Sequence, residues 1–152
     1  MDLDLLFEVA NVSTLPAWLL LLVAPRWAGT RRLVHSILMP LLLAAAYALL
    51  LFSDMGGGGE ASMFSLRGVM AIFDKPQTTI AAWIHYLVFD LFVGAWIVRD
   101  AERRGQSRLL VTPCLLGTWF FGPVGLGAYL LVRALRGGGT SLVESPATAG
   151  AT

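Results

Sequence analysis

Long apolar stretches dominate this chain, and short basic blocks separate them. Residues 3–24, 33–53, 77–99 and 108–135 each read as one such stretch. A helix needs ~20 mainly apolar residues to cross ~30 Å of hydrocarbon at ~1.5 Å per residue. Each stretch meets that length. Charge density points the same way. Only 14% of the residues are Asp, Glu, Lys or Arg, against 57% hydrophobic, and a soluble domain carries ~25% charged residues. The expected fold is therefore all-α, an integral membrane four-helix bundle over 3–135 with the lipid bilayer as its surroundings. The small polar stretch 136–152 reads as a disordered tail.

The connection between the second and third helices is not featureless. Gly56–Gly59 reads as a flexible tether. The segment 62–73, "SMFSLRGVMAIF", is apolar but too short to cross. It is expected to form an interfacial or re-entrant segment.

Basic residues orient the spans. The first loop holds Arg26, Arg31 and Arg32, and the third holds Arg99, Arg103, Arg104 and Arg108. Arg67, Lys75, Arg133 and Arg136 fall on the other side of a four-span layout, a split of seven against four. The positive-inside rule then places both termini outside the cytoplasm. The opening "MDLDLLFEVANV" lacks a basic n-region and reads as a retained helix. It is also unlike an Arg- and Ser-rich transit peptide. Basic clusters with interleaved aromatics are absent, which argues against nucleic acid as a partner. A lone Cys114 makes neither an internal disulfide nor a cysteine metal site. No phosphate-binding loop, zinc-protease motif or Ser-His-Asp constellation is visible, and no metal or cofactor is expected.

Polar residues within the spans are the candidate functional groups, because an intramembrane ionisable residue is costly and faces a bundle interior or a wet cavity. In "WIHYLVFDLFVG" (83–94), His85 and Asp90 lie within a turn of the third span's middle. They are five residues apart, ~140° around a helix, so they do not form a local pair. Asp90 shares its stripe with Tyr86 and Gly94. Glu8 and Asn11 share a face of the first span and are expected to contact the third. In the fourth span, "TPCLLGTWFFGPVGLGAYLL" (112–131), Gly122 and Gly125 surround a proline at mid-depth. A kink or short unwound turn is expected there, and such backbone must be buried in protein or line a cavity. The candidate acid–base residues are Asp90, His85 and Glu8. The candidate pocket residues are Asn11, Tyr86, Gly94, Gly122 and Gly125. Asp100 and Glu102 read as helix-end charges paired with Arg103 or Arg104.

The order of these motifs resembles the abscisic-acid-deficient-four-like family of small four-helix membrane proteins. The resemblance rests on Asn11, "PAW" (16–18), "APRW" (24–27), "SLRGVMAIFDKP", "WIHYLVFDLFVGAWIVRDAERRG" and "PCLLGTWFFGPVG". Its plant members are plastid proteins required to make neoxanthin from violaxanthin. The resemblance implies a carotenoid-like or isoprenoid ligand and an isomerase without a redox cofactor, since an epoxide becomes an allenic alcohol with no net redox change. That chemistry asks for an acid at the epoxide oxygen and a base for a vinylic proton. Without a transit peptide, the chain reads as a bacterial relative, multi-pass in the inner membrane. A small transporter, or a scaffold that assists a membrane enzyme or self-associates, remains the alternative.

Overall fold

The structure, a computed structural model, describes residues 2–53, 61–137 and 139–142. The glycine tether 56–59 and most of the tail, residues 138 and 143–152, lie outside the described residues. The described residues form seven helices and no strand: α1 (Leu3–Val23), α2 (Ala28–Leu33), α3 (Leu38–Ser53), α4 (Leu66–Phe73), α5 (Pro76–Arg103), α6 (Arg108–Phe121) and α7 (Pro123–Leu135). Three segments are long and apolar enough to cross a membrane: α1, the continuous stretch Ala28–Ser53, and α5.

Local signals set the boundaries. The Asp2 carboxylate caps α1 by accepting from the Leu5 amide at 3.1 Å. The Ser65 hydroxyl caps α4 through the Gly68 amide at 3.0 Å. Pro76 opens α5, where its missing N–H removes nothing. The α4 helix lies against the start of α5, where Thr79 donates to the Phe73 carbonyl at 2.7 Å and Thr78 to that of Ile72. Met63, Phe64, Leu66 and Met70 around α4 stay exposed, as suits an interfacial segment.

α5 is the central post. Leu43 and Leu50 of α3 pack with Ile80, Ile84 and Leu87 toward one end. Trp18 and Leu21 of α1 pack with Leu91, Ala95 and Val98 toward the other. Two sets of contacts define the ends of the bundle. At the N-terminal end, Leu3, Asp4 and Phe7 meet Pro76 and Ile80 around one surface hollow. At the basic end, Arg26 pairs with Glu102 at 3.2 Å. There Arg108 also donates to the Leu22 carbonyl at 2.6 Å, serving the open C-terminus of α1.

The expected fourth span is not one helix. It is two, α6 and α7, joined at Gly122 and folded back on each other. In a single helix Gly117 and Gly125 would stand ~12 Å apart along the axis. Here a Cβ on Gly117 would lie 3.1 Å from the Gly125 Cα. One on Gly125 would lie 1.9 Å from the Thr118 nitrogen. Neither helix, at ~20 Å, crosses the hydrocarbon. Together they make a hairpin that enters from the basic end and returns to it. Arg104, Gln106, Ser107 and Leu110 line the same surface hollow as Arg136 and Gly137. The last described residues therefore sit at the basic end, opposite the N-terminus. In the described residues the fourth stretch thus ends on the side opposite Leu3, not on the same side as a fourth crossing would place it. The cause is local: Gly122 adopts φ +43°, ψ −99°, open to a residue without Cβ, and Pro123 starts a new helix there.

Candidate functional site

Asp90 sits at the middle of α5, fourteen residues after Pro76 and thirteen before Arg103. It is buried, 8% exposed. Its carboxylate meets the tip of the hairpin, since a Cβ on Gly122 would lie 2.7 Å from Oδ1 and 3.2 Å from Oδ2. Only glycine leaves room for the carboxylate at this turn. Gly122 precedes α7 and offers no side-chain cap, so Asp90 stands at the positive end of that helix dipole. One helical turn away on the same face, Tyr86 is the polar side chain that acts on the same carboxyl. Asp90 Oδ2 has no hydrogen-bond partner. A buried, half-satisfied carboxyl is costly, and most buried polar atoms are paired.

The surroundings are aromatic and tightly packed. Gly94, one turn beyond Asp90, lies under Trp18, whose ring would be 2.7 Å from a Cβ there. Trp18 in turn stacks on Trp119 at 5.6 Å, so α1, α5 and α6 meet around one indole. A polar ladder leads away toward the N-terminal end. Tyr86 stacks on Trp83 at 5.2 Å, and the Trp83 indole donates to Asn11 Oδ1 at 3.0 Å.

The structure thus gathers Tyr86, Asp90, Gly94 and Gly122, with Gly125 closing the hairpin below the tip and Asn11 joined through Trp83. It does not bring His85 or Glu8 to them. His85 is exposed on another face of α5, stacked on Phe89 at 4.5 Å and near Tyr47 at 5.7 Å. Glu8 is also exposed, on α1. The helical geometry that separates residues five apart by ~140° is the reason for His85. Glu8 falls on the outward face because Ala10, Thr14, Ala17 and Trp18 take the inward one.

Ten residues along α5 lies a second buried carboxylate, Asp100, which the sequence marks as a helix-end charge. Asp100 Oδ2 accepts from the Tyr129 hydroxyl at 2.6 Å and from Arg104 Nε at 2.9 Å, and lies 3.1 Å from Arg133 Nε. Arg103 adds a fourth contact at 3.6 Å. Arg133 and Tyr129 are both buried and both come from α7. Arg133 also donates to the Ser141 carbonyl in the described part of the tail. The pairing with Arg104 matches the expectation. Tyr129 and Arg133 were missed, although their spacing of four put them on one helix face. Among the described residues, no three His, Cys, Asp or Glu side chains come together as a metal site.

A model of the ABA DEFICIENT 4-like family matches residues 5–129. The chain belongs to that family. The match takes in Asp90, Gly122, Asp100 and Tyr129. A protein of Arabidopsis thaliana, ABA DEFICIENT 4, chloroplastic, is 31% identical to the family member described here over 137 residues, which are 85% of this chain and 60% of that protein. The chain therefore spans about 60% of the length of that relative. No solved structure matches the chain. Its apolar helices and its kinship make this a membrane protein related to ABA DEFICIENT 4.

Proposed function

We propose that this membrane protein holds the polar end of a carotenoid-like or isoprenoid lipid at Asp90, and acts on it as an acid–base isomerase. One observation carries the reading: a carboxyl at mid-helix, buried against the glycine tip of a hairpin, keeps an oxygen without a partner. When protonated, that oxygen is an O–H donor. An epoxide or hydroxyl oxygen would supply the missing partner.

The chemistry closes on one residue. The protonated Asp90 gives its proton to the epoxide oxygen as the C–O bond breaks. The resulting carboxylate takes the vinylic proton, and that C–H electron pair becomes the new allene double bond. Acid and product are then both neutral, and nothing has been oxidised or reduced. Tyr86, one turn away on the same face, would position it. His85 takes no part in this scheme, because it faces away from Asp90.

Sidedness belongs to the same proposal. With the hairpin returning to its own end, nine of the eleven Lys and Arg residues share the basic end. Only Arg67 and Lys75 oppose them. We place the basic end, with the last helix, in the cytoplasm and the N-terminus outside it. In a bacterial cell that membrane would be the inner one.

Two variants test the site. Asp90→Asn retains the shape but removes the titratable proton. It should preserve co-purified lipid, read by mass spectrometry of protein in mild detergent, while failing to complement a deletion strain. Asp90→Leu should lose both. Wild-type behaviour of both variants would end the claim. Sidedness is checked by cysteine labelling at Ala61, Gly105 and Gly137 in a Cys114→Ser background. Gly105 and Gly137 should react from one side and Ala61 from the other.

A further inference from the structure

One face of α5 points away from the rest of the bundle. His85, Phe89 and Phe92 are exposed there, at the i, i+4, i+7 spacing of a single helix face. The His85 imidazole stacks on Phe89 at 4.5 Å and lies 5.7 Å from the Tyr47 ring of α3, tilted by 58°. These are ring contacts. Among the described residues, neither the imidazole nitrogens nor the Tyr47 hydroxyl takes part in a hydrogen bond.

Depth makes this pair expensive. His85 stands nine residues after Pro76 in α5, and Tyr47 nine after Leu38 in α3. Each is therefore ~14 Å along its helix, inside an apolar span. Acyl chains offer neither a donor nor an acceptor, and water is scarce at that level. A phenol and an imidazole facing lipid would stay unsatisfied there. Intramembrane polar groups are found instead against another protein surface or a wet cavity.

We infer that a second copy of this chain covers the face, in a two-fold dimer whose axis runs along the membrane normal, with Tyr47 of each copy against His85 of the other. The placement of the two groups decides the occupant. They sit side by side at one depth on neighbouring helices, so a two-fold rotation about the normal brings each opposite the other's counterpart. A neutral imidazole keeps one acceptor nitrogen, and the phenol supplies one O–H. The Tyr47 hydroxyl of one copy then donates to the imidazole of the other, and symmetry makes the bond twice. Such bonds are modest within a bilayer, and packing must accompany them. Phe89 and Phe92 extend the contact toward the basic end with apolar ring surface. Ala44, exposed one turn before Tyr47, puts no bulk beside the pair. The inference does not depend on Asp90.

Cross-linking of the full chain in membranes tests the pairing. In a Cys114→Ser background, Tyr47→Cys with one tag and His85→Cys with another are produced together and oxidised. Disulfide-linked dimers should join the two different tags in preference to two of a kind. The dimer's dissociation constant, read by energy transfer between labelled copies at falling protein-to-lipid ratio, gives a second measure. Tyr47→Phe and His85→Phe keep an aromatic ring, and each should weaken the dimer about tenfold, as for two interhelical hydrogen bonds. The double variant should be no weaker than either single one, because each substitution removes the same two bonds. Dimers linking only like tags, or losses that multiply in the double variant, would overturn the pairing. A wild-type chain that stays monomeric at every ratio would overturn the dimer. If hydroxylated lipid then co-purified with the wild type and not with Tyr47→Phe, the face would be a lipid site instead.

Discussion

Asp90 and Asp100 stand ten residues apart on the same helix, both buried and both facing the α6–α7 hairpin. Asp100 meets the base of the hairpin, where a tyrosine hydroxyl and two arginine side chains converge on one oxygen and Arg103 approaches the other. Asp90 meets the tip, where Tyr86 stands one turn away and Oδ2 has no hydrogen-bond partner. A carboxylate whose demands are all met inside the protein has nothing left to offer a ligand. One that is half satisfied pays a desolvation penalty that an incoming oxygen could relieve. The comparison gives Asp100 the role of holding the hairpin against α5, and the acid–base role proposed above falls to Asp90.

The largest effect should come from breaking the base. Asp100→Ala leaves Arg133 buried without its counter-charge, and losing one partner of a buried pair costs about 3–5 kcal/mol. Thermal unfolding in detergent should show that loss. A melting point unchanged from wild type would mean that the arginines are hydrated and the base is not a lock.

The turn comes next. Gly122→Ala must place a Cβ at positive φ and against the Asp90 carboxylate, at a cost of about 1–3 kcal/mol. Gly94→Leu, forced against Trp18, should cost a similar ~1–3 kcal/mol by overpacking. If Gly94→Leu were tolerated, the α1–α5 contact beside Asp90 would be looser than the glycine–indole packing indicates.

Two tyrosines sharpen the contrast. Tyr129→Phe removes a donor from a charged, buried acceptor and should cost about 1.5–3 kcal/mol. Tyr86→Phe, at the tip, should cost less, about 0.5–1.5 kcal/mol. A reversal of that order, read from denaturation of the two variants side by side, would exchange the roles given to the two aspartates. The smallest stability change should belong to Asp90→Asn, which keeps the side-chain volume and an acceptor oxygen, although it is the substitution expected to abolish function.

Much of the site was legible in the residues. Asp90, Tyr86 and Gly94 share one helical stripe, and that periodicity needs no partner to be read. An Asp in an apolar run also marks itself. What the pattern could not show is which outward-pointing residues meet another helix. His85 looked as promising as Asp90 by its type and depth, but lies exposed beside aromatic rings. Glu8 faces outward for the same kind of reason, because the small residues of α1 turn Thr14 and Trp18 inward instead.

Sequence alone determined that this chain is helical and membrane-embedded, because apolar run length and scarce charge act locally and add along the chain. It also marked the break at Gly122–Pro123, since glycine and proline act on their own backbone. Whether that break bends a helix or reverses it was decided by tertiary structure. Gly117 on Gly125, Gly122 on Asp90, and Tyr129 and Arg133 on Asp100 are contacts between distant turns. These contacts close the hairpin, which places two arginines and the last described helix at the basic end. A residue count along the sequence assigns those arginines to the opposite face, because it assumes that every long apolar run crosses.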